Sequence, residues 1–106
     1  MAWIYLTIAG IFEIIWAFAM KQSDGFTRPA PTAITLVAMI MSFVLLSLSM
    51  KSLPLGTAYT IWTGIGAVGA FLVGIFILGE QANAMRITAA LLIVSGLVMM
   101  KLSSPA

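Results

Sequence analysis

The sequence has no cysteine and no histidine, and only three acidic and five basic residues among 106. Without thiolate or imidazole there is no disulfide, no thiol redox chemistry, no Cys/His metal site and no Ser/His/Asp triad. The bases stand singly along the chain and form no cluster that could neutralise phosphates, which argues against nucleic acid as a partner. No nucleophile, metal-ligand set or cofactor motif surrounds any acid, so an enzyme is the poorest reading and no cofactor is expected.

Apolar surface is what the chain has in abundance. It is 62% hydrophobic and 8% charged, with a mean hydropathy of +1.16, too little polar surface to cover a water-soluble globule of this size. Turn residues and charges cut it into four apolar runs, residues 3–20, 32–50, 57–78 and 84–100. Each is near the ~20 residues a helix needs to cross hydrocarbon. The runs lack period-two alternation and are too long for strands, which excludes a β-barrel. The reading is an all-α membrane protein, one transmembrane domain over residues 1–106 with both termini on one side. The first run carries Glu13 and no basic n-region, so it is read as a span and not a signal peptide.

Lys51 and Lys101 fall on the side of the termini, Lys21, Arg28 and Arg86 on the other. Such a balance gives almost no positive-inside preference. A chain that inserts both ways supplies two inverted copies, the arrangement that larger transporters encode in one polypeptide. An antiparallel, dual-topology homodimer is therefore expected.

Glu13 is the only acid inside any run, where a charged residue costs at least ~2.5 kcal/mol. The functional reading is a carboxyl in a polar recess that holds either a proton or a cation. The structural alternative is a protonated Glu bonded between helices. Trp16, three residues on, shares its helix face with Ala9, Gly10, Ala17 and Met20. Its indole N–H can donate to the carboxylate, or the ring can simply pack. Ser42 is the polar residue nearest the middle of the second run, although a mid-span Ser usually bonds its own helix. Tyr59 and Trp62, with Gly66 continuing their face, suit either the lining of a cation site or a membrane-interface position.

Gly64-Ile-Gly66-Ala-Val-Gly69 matches a dinucleotide fingerprint but has no strand before it and no acid at the required distance, so that reading fails. Glycines here permit close helix contact or a hinge. Ala89 and Gly96, a heptad apart, read as a helix-packing face for a dimer contact.

Taken together, Glu13 with Trp16, the stretch Lys51-Ser-Leu-Pro-Leu-Gly-Thr-Ala-Tyr59, the stretch Ile61-Trp-Thr-Gly-Ile-Gly66 and the loop Gly25-Phe-Thr-Arg28 closely resemble the small multidrug resistance family over essentially the whole chain. Trp16, where the multidrug branch has a small residue, and the run from Thr63 to Ala70 make it similar to the guanidinium-exporting branch. The resemblance implies a proton-coupled antiporter of guanidinium and small substituted guanidinium cations in the bacterial inner membrane, working by alternating access in an antiparallel homodimer. It implies that Glu13 carries proton or substrate, that Trp16 and Ser42 donate hydrogen bonds to Glu13, and that Tyr59 and Trp62 line the site. Gly64 and Gly66 become a conformational hinge, and Ala89 and Gly96 a dimer contact. Guanidinium fits physically, because it is planar, weakly hydrated and pairs bidentately with a carboxylate. The alternatives are an exporter of quaternary ammonium drugs and, from another class, a non-transporting membrane accessory protein.

Overall fold

Proline and glycine set the ends of the helices. Pro29 and Pro31 occupy the first turn of the second helix, and Arg28 before it is extended, with φ −99° and ψ 119°, as the residue preceding a proline is pushed to be. Pro54 caps the start of the third in the same extended way. The computed structural model describes residues 1–103 and contains four helices: α1 Ala2–Gln22, α2 Pro29–Ser49, α3 Leu55–Phe76 and α4 Ala84–Ser103. All four are long and apolar enough to cross a membrane. At 1.5 Å per residue, each spans roughly 30 Å of hydrocarbon.

The polar connections close tightly. Between α1 and α2, Ser23 is fully buried; its Oγ donates to Met20 O at 2.6 Å and accepts from Phe26 N at 3.1 Å. Asp24, Gly25 and Phe26 follow in left-handed backbone, with φ of 50°, 71° and 67°. α3 ends at Phe76, short of the apolar run that reaches residue 78. Gly79, at φ 71°, turns the chain so that Glu80 N donates back to Gly74 O at 2.8 Å. Asn83 Oδ1 then accepts from Arg86 N at 2.9 Å and caps α4.

The helices run up and down. Lys101 Nζ sits 4.2 Å from the Trp3 ring centroid, joining the end of α4 to the start of α1. At the other end Lys21, Glu80 and Arg86 line one shared cleft. α1 packs on α2 and α3, α3 packs on α4, and α2 barely meets α3. The result is a slab of 43 × 34 × 16 Å, whose thin dimension is little more than one helix diameter of ~10–12 Å. Its core lies where α1, α2 and α3 meet, around Leu6, Ala9, Leu46, Ala58, Ile61 and Trp62. No residue of α4 is buried.

Mid-span hydroxyls need partners in lipid. Thr7, Thr35, Thr88 and Ser95 find them by turning back to the carbonyl four residues earlier on their own helix.

Candidate functional site

Ser42 departs from that habit. Its Oγ crosses to α1 and donates to Ala9 O at 2.7 Å, while Trp62 Nε1 of α3 donates to the same Oγ at 2.9 Å. One fully buried hydroxyl thus joins three helices. The family resemblance implies Glu13 as the acceptor for Ser42; in this chain the backbone of Ala9, one helical turn earlier on the same face, takes that hydrogen bond. Ala9 carries only a methyl, so α2 can approach the α1 backbone closely enough for it.

Glu13 stands in the middle of α1, half-buried. Its Oε1 is shielded and without a hydrogen-bond partner among the described residues, and the same is true of Trp16 Nε1, one turn further along. Opposite Glu13 lies Gly66 of α3. A Cβ placed on Gly66 would come within 2.7 Å of Glu13 Cγ and overlap its carboxyl group. The carboxyl therefore rests against the bare backbone of α3.

From this acid an aromatic row extends across the bundle. The Trp16 and Phe43 rings meet edge-on with centroids 6.4 Å apart, Phe43 and Trp62 lie 5.7 Å apart, and Trp62 and Tyr59 5.6 Å apart. These separations are those of favourable tilted and T-shaped pairs. Phe43, on α2 next to Ser42, is the member that sequence reasoning missed. It sits among apolar residues of α2, most of which face lipid as it partly does. The available signal was its place one residue after Ser42, between Trp16 of α1 and the Tyr59/Trp62 pair of α3.

The structure thus brings Glu13, Trp16, Ser42, Tyr59, Trp62 and Gly66 together around the junction of α1, α2 and α3. Gly64 faces elsewhere: a Cβ there would overlap Leu97 of α4, whose Cγ lies 3.0 Å away. α3 is continuous helix through both glycines. Ala89 and Gly96 lie on α4, outside the cluster and exposed. Gly96 also borders a groove of about 500 Å³ between α3 and α4 that Tyr59 opens onto.

Four apolar spans with a single carboxyl seated between helices define a multi-pass membrane protein whose only acid within a span is Glu13. Comparison with known proteins makes the class specific. A family model described as Small Multidrug Resistance protein matches residues 1–93. The chain is 55% identical over 104 residues to a guanidinium exporter of Escherichia coli strain K12, covering 98% of this chain and 99% of that one. It is 56% identical over 104 residues to a guanidinium exporter of Yersinia pseudotuberculosis, covering 98% and 100%, and 52% identical over the same length to one of Citrobacter freundii. The chain belongs to the small multidrug resistance family and is a multi-pass protein of the bacterial inner membrane.

Proposed function

We propose that this protein exports guanidinium and small substituted guanidinium cations in exchange for protons, by alternating access in an antiparallel homodimer. The observation that carries this reading is Glu13, the only acid within a span, with Oε1 shielded from solvent and the unpartnered Trp16 N–H one turn away on the same helix face. Two buried polar atoms without partners mark a site that is completed from outside the chain, since such groups are costly to leave unmade. A planar cation with five or more N–H donors satisfies a carboxylate bidentately. The names of the relatives, guanidinium exporters of several bacteria, support the same substrate.

In this reading Glu13 carries proton or substrate, never both. Protonation removes the charge that holds the cation, and the bound cation removes the lone pairs that would take the proton. Coupling needs only that exclusion, together with a dimer that changes the open side when one of the two is aboard. In the complete dimeric site the Trp16 N–H, unpartnered in the single chain, donates to a Glu13 carboxylate and never to the cation, which has no acceptor; Tyr59 and Trp62 form aromatic walls, Trp62 fixed through Ser42. A bend of α3 during exchange would fall at Gly64 and Gly66, where the backbone is freest.

The dimer rests on three features. The basic residues show no bias between the two sides, the slab leaves α4 without a buried residue, and Ala89 and Gly96 lie on that open helix. A second, inverted copy would close the site with a second Glu13.

The test is uphill transport. Purified protein in sealed liposomes, loaded with guanidinium and given an inward proton gradient, is expected to drive guanidinium out, and Glu13→Gln to abolish it. Transport of a bulky quaternary ammonium in place of guanidinium would assign the protein to the multidrug branch. Transport of neither would leave an accessory role.

A further inference from the structure

The seam between α1 and α3 is built from glycines that each receive one side chain of the facing helix. Gly10 of α1 takes Ile65 of α3, with the position of a Cβ only 2.8 Å from Ile65 Cβ. Gly69 of α3 takes Ile14 of α1, and Gly66 of α3 takes Glu13. Two of the three sockets hold isoleucine, as close helix packing in lipid requires. The third holds the carboxyl.

We propose that Gly66 is a positioning residue for transport: its bare backbone is the seat of the Glu13 carboxyl, and any side chain at position 66 moves that carboxyl away from the place where proton and cation compete. The proposal rests on the reading of Glu13 as the shared carrier. The sockets on either side give it its force. Ile65 in Gly10 and Ile14 in Gly69 lock α1 against α3 one turn before Glu13 and immediately after it, so the helices cannot slide to make room at Gly66. The space must come from the Glu13 side chain turning about its own bonds, which relocates its oxygens. Displacements of about 1 Å at a reacting group can cost on the order of 100-fold.

Gly64 supplies the control. It lies in the same helix, two residues away, and losing it removes the same backbone freedom. Its neighbour is the end of the Leu97 side chain on α4, which can turn aside without touching Glu13. A hinge role treats the two glycines alike; a seat role separates them.

The experiment is equilibrium guanidinium binding over a range of pH, measured on the reconstituted wild type, Gly66→Ala, Gly64→Ala and the Gly66→Ala/Glu13→Asp double variant, each first shown to be helical. Gly66→Ala is expected to weaken binding about tenfold or more and to move the midpoint of its pH dependence by about half a unit or more. Gly64→Ala should keep the wild-type midpoint. Because Gly66→Ala and Glu13→Asp both displace one carboxyl, their losses should be strongly non-additive. Equal midpoints in wild type and Gly66→Ala, or equal shifts in both alanine variants, would overturn the seat. Should Gly66→Ala fail to fold, solid-state NMR of the wild type in lipid decides: the seat demands a through-space cross-peak between Glu13 Cδ and Gly66 Cα, and its absence refutes it. Wild-type binding and transport test the carrier reading separately, since a wild type that binds no guanidinium sinks that reading before any glycine is changed.

Discussion

Trp62 donates its indole N–H to Ser42 Oγ at 2.9 Å, and the Ser42 hydroxyl in turn donates to the Ala9 carbonyl at 2.7 Å. α2 and α3 approach each other little elsewhere, so this relay is the main polar tie between them. It also decides which way the Trp62 ring faces, and through that ring the placement of Tyr59 and Phe43.

Replacing Ser42 by Ala leaves the buried Trp62 N–H without an acceptor. The cost is that of one unmade buried hydrogen bond, about 1–3 kcal/mol. Ser42→Ala should therefore unfold at lower temperature in detergent, followed by near-ultraviolet circular dichroism. It should also bind guanidinium several-fold more weakly, because Trp62 is no longer held as a wall.

In the proposed exchange, proton and cation compete for one group, which sets the sign of the pH dependence. Lowering the pH fills Glu13 with protons and removes the charge that guanidinium needs, so apparent affinity falls as pH falls. Where one proton is displaced per cation, the apparent Kd rises up to about tenfold per pH unit on the acid side of the transition. In weakly buffered solution near the midpoint, adding guanidinium should acidify the medium. Glu13→Gln should give no pH change at all.

The spans, their number and the place of Glu13 inside one of them were legible because they rest on amounts: apolar length, and one acid where acids are costly. Rotation of each helix about its axis was not. The spans are apolar nearly all the way round, so no amphipathic stripe says which face meets which neighbour. That is why Phe43 looked like any other residue of α2, and why the acceptor for Ser42 was sought at Glu13 and lies one turn away at Ala9. Gly64 and Gly66 show the same limit: two residues apart in a helix, they point to different partners, Leu97 on α4 and Glu13 on α1. In sequence they were one feature.

Phe43 lies between Trp16 and Trp62, with ring centroids 6.4 and 5.7 Å away. Each aromatic pair contributes about 0.5–1.5 kcal/mol beyond area burial. Phe43 is itself 47% exposed, so Phe43→Ala should disturb the site more than the fold. The expected outcome is a tryptophan emission shift, weaker guanidinium binding and a thermal midpoint within a few degrees of wild type. Equal loss of binding and stability would mean that the ring serves packing alone.

Ala89, Leu92, Gly96 and Met99 recur at helical spacing along one stripe of α4. Leu92 and Met99 are each 68% exposed, and a Cβ on Gly96 would meet nothing within 4 Å among the described residues. A methyl at Gly96 therefore leaves the described residues undisturbed, whereas a longer side chain also enters the α3–α4 groove that Tyr59 lines, so the dimer contact is read from cross-linking and not from transport alone. If an inverted copy packs here, Gly96→Leu should lower the yield of chemically cross-linked dimer in membranes and transport with it, while helix content stays at the wild-type level. The absence of native cysteine allows the orientation to be read directly. A single cysteine placed at Ser52, in the α2–α3 connection, should be labelled by an impermeant maleimide from outside intact cells in about half of the molecules, the remainder reacting only after the membrane is opened. Labelling from one side alone would make the two copies parallel, and the α4 stripe would then have to meet a partner in the same orientation, so the two Glu13 carboxyls would no longer be related by the inversion that alternating access requires.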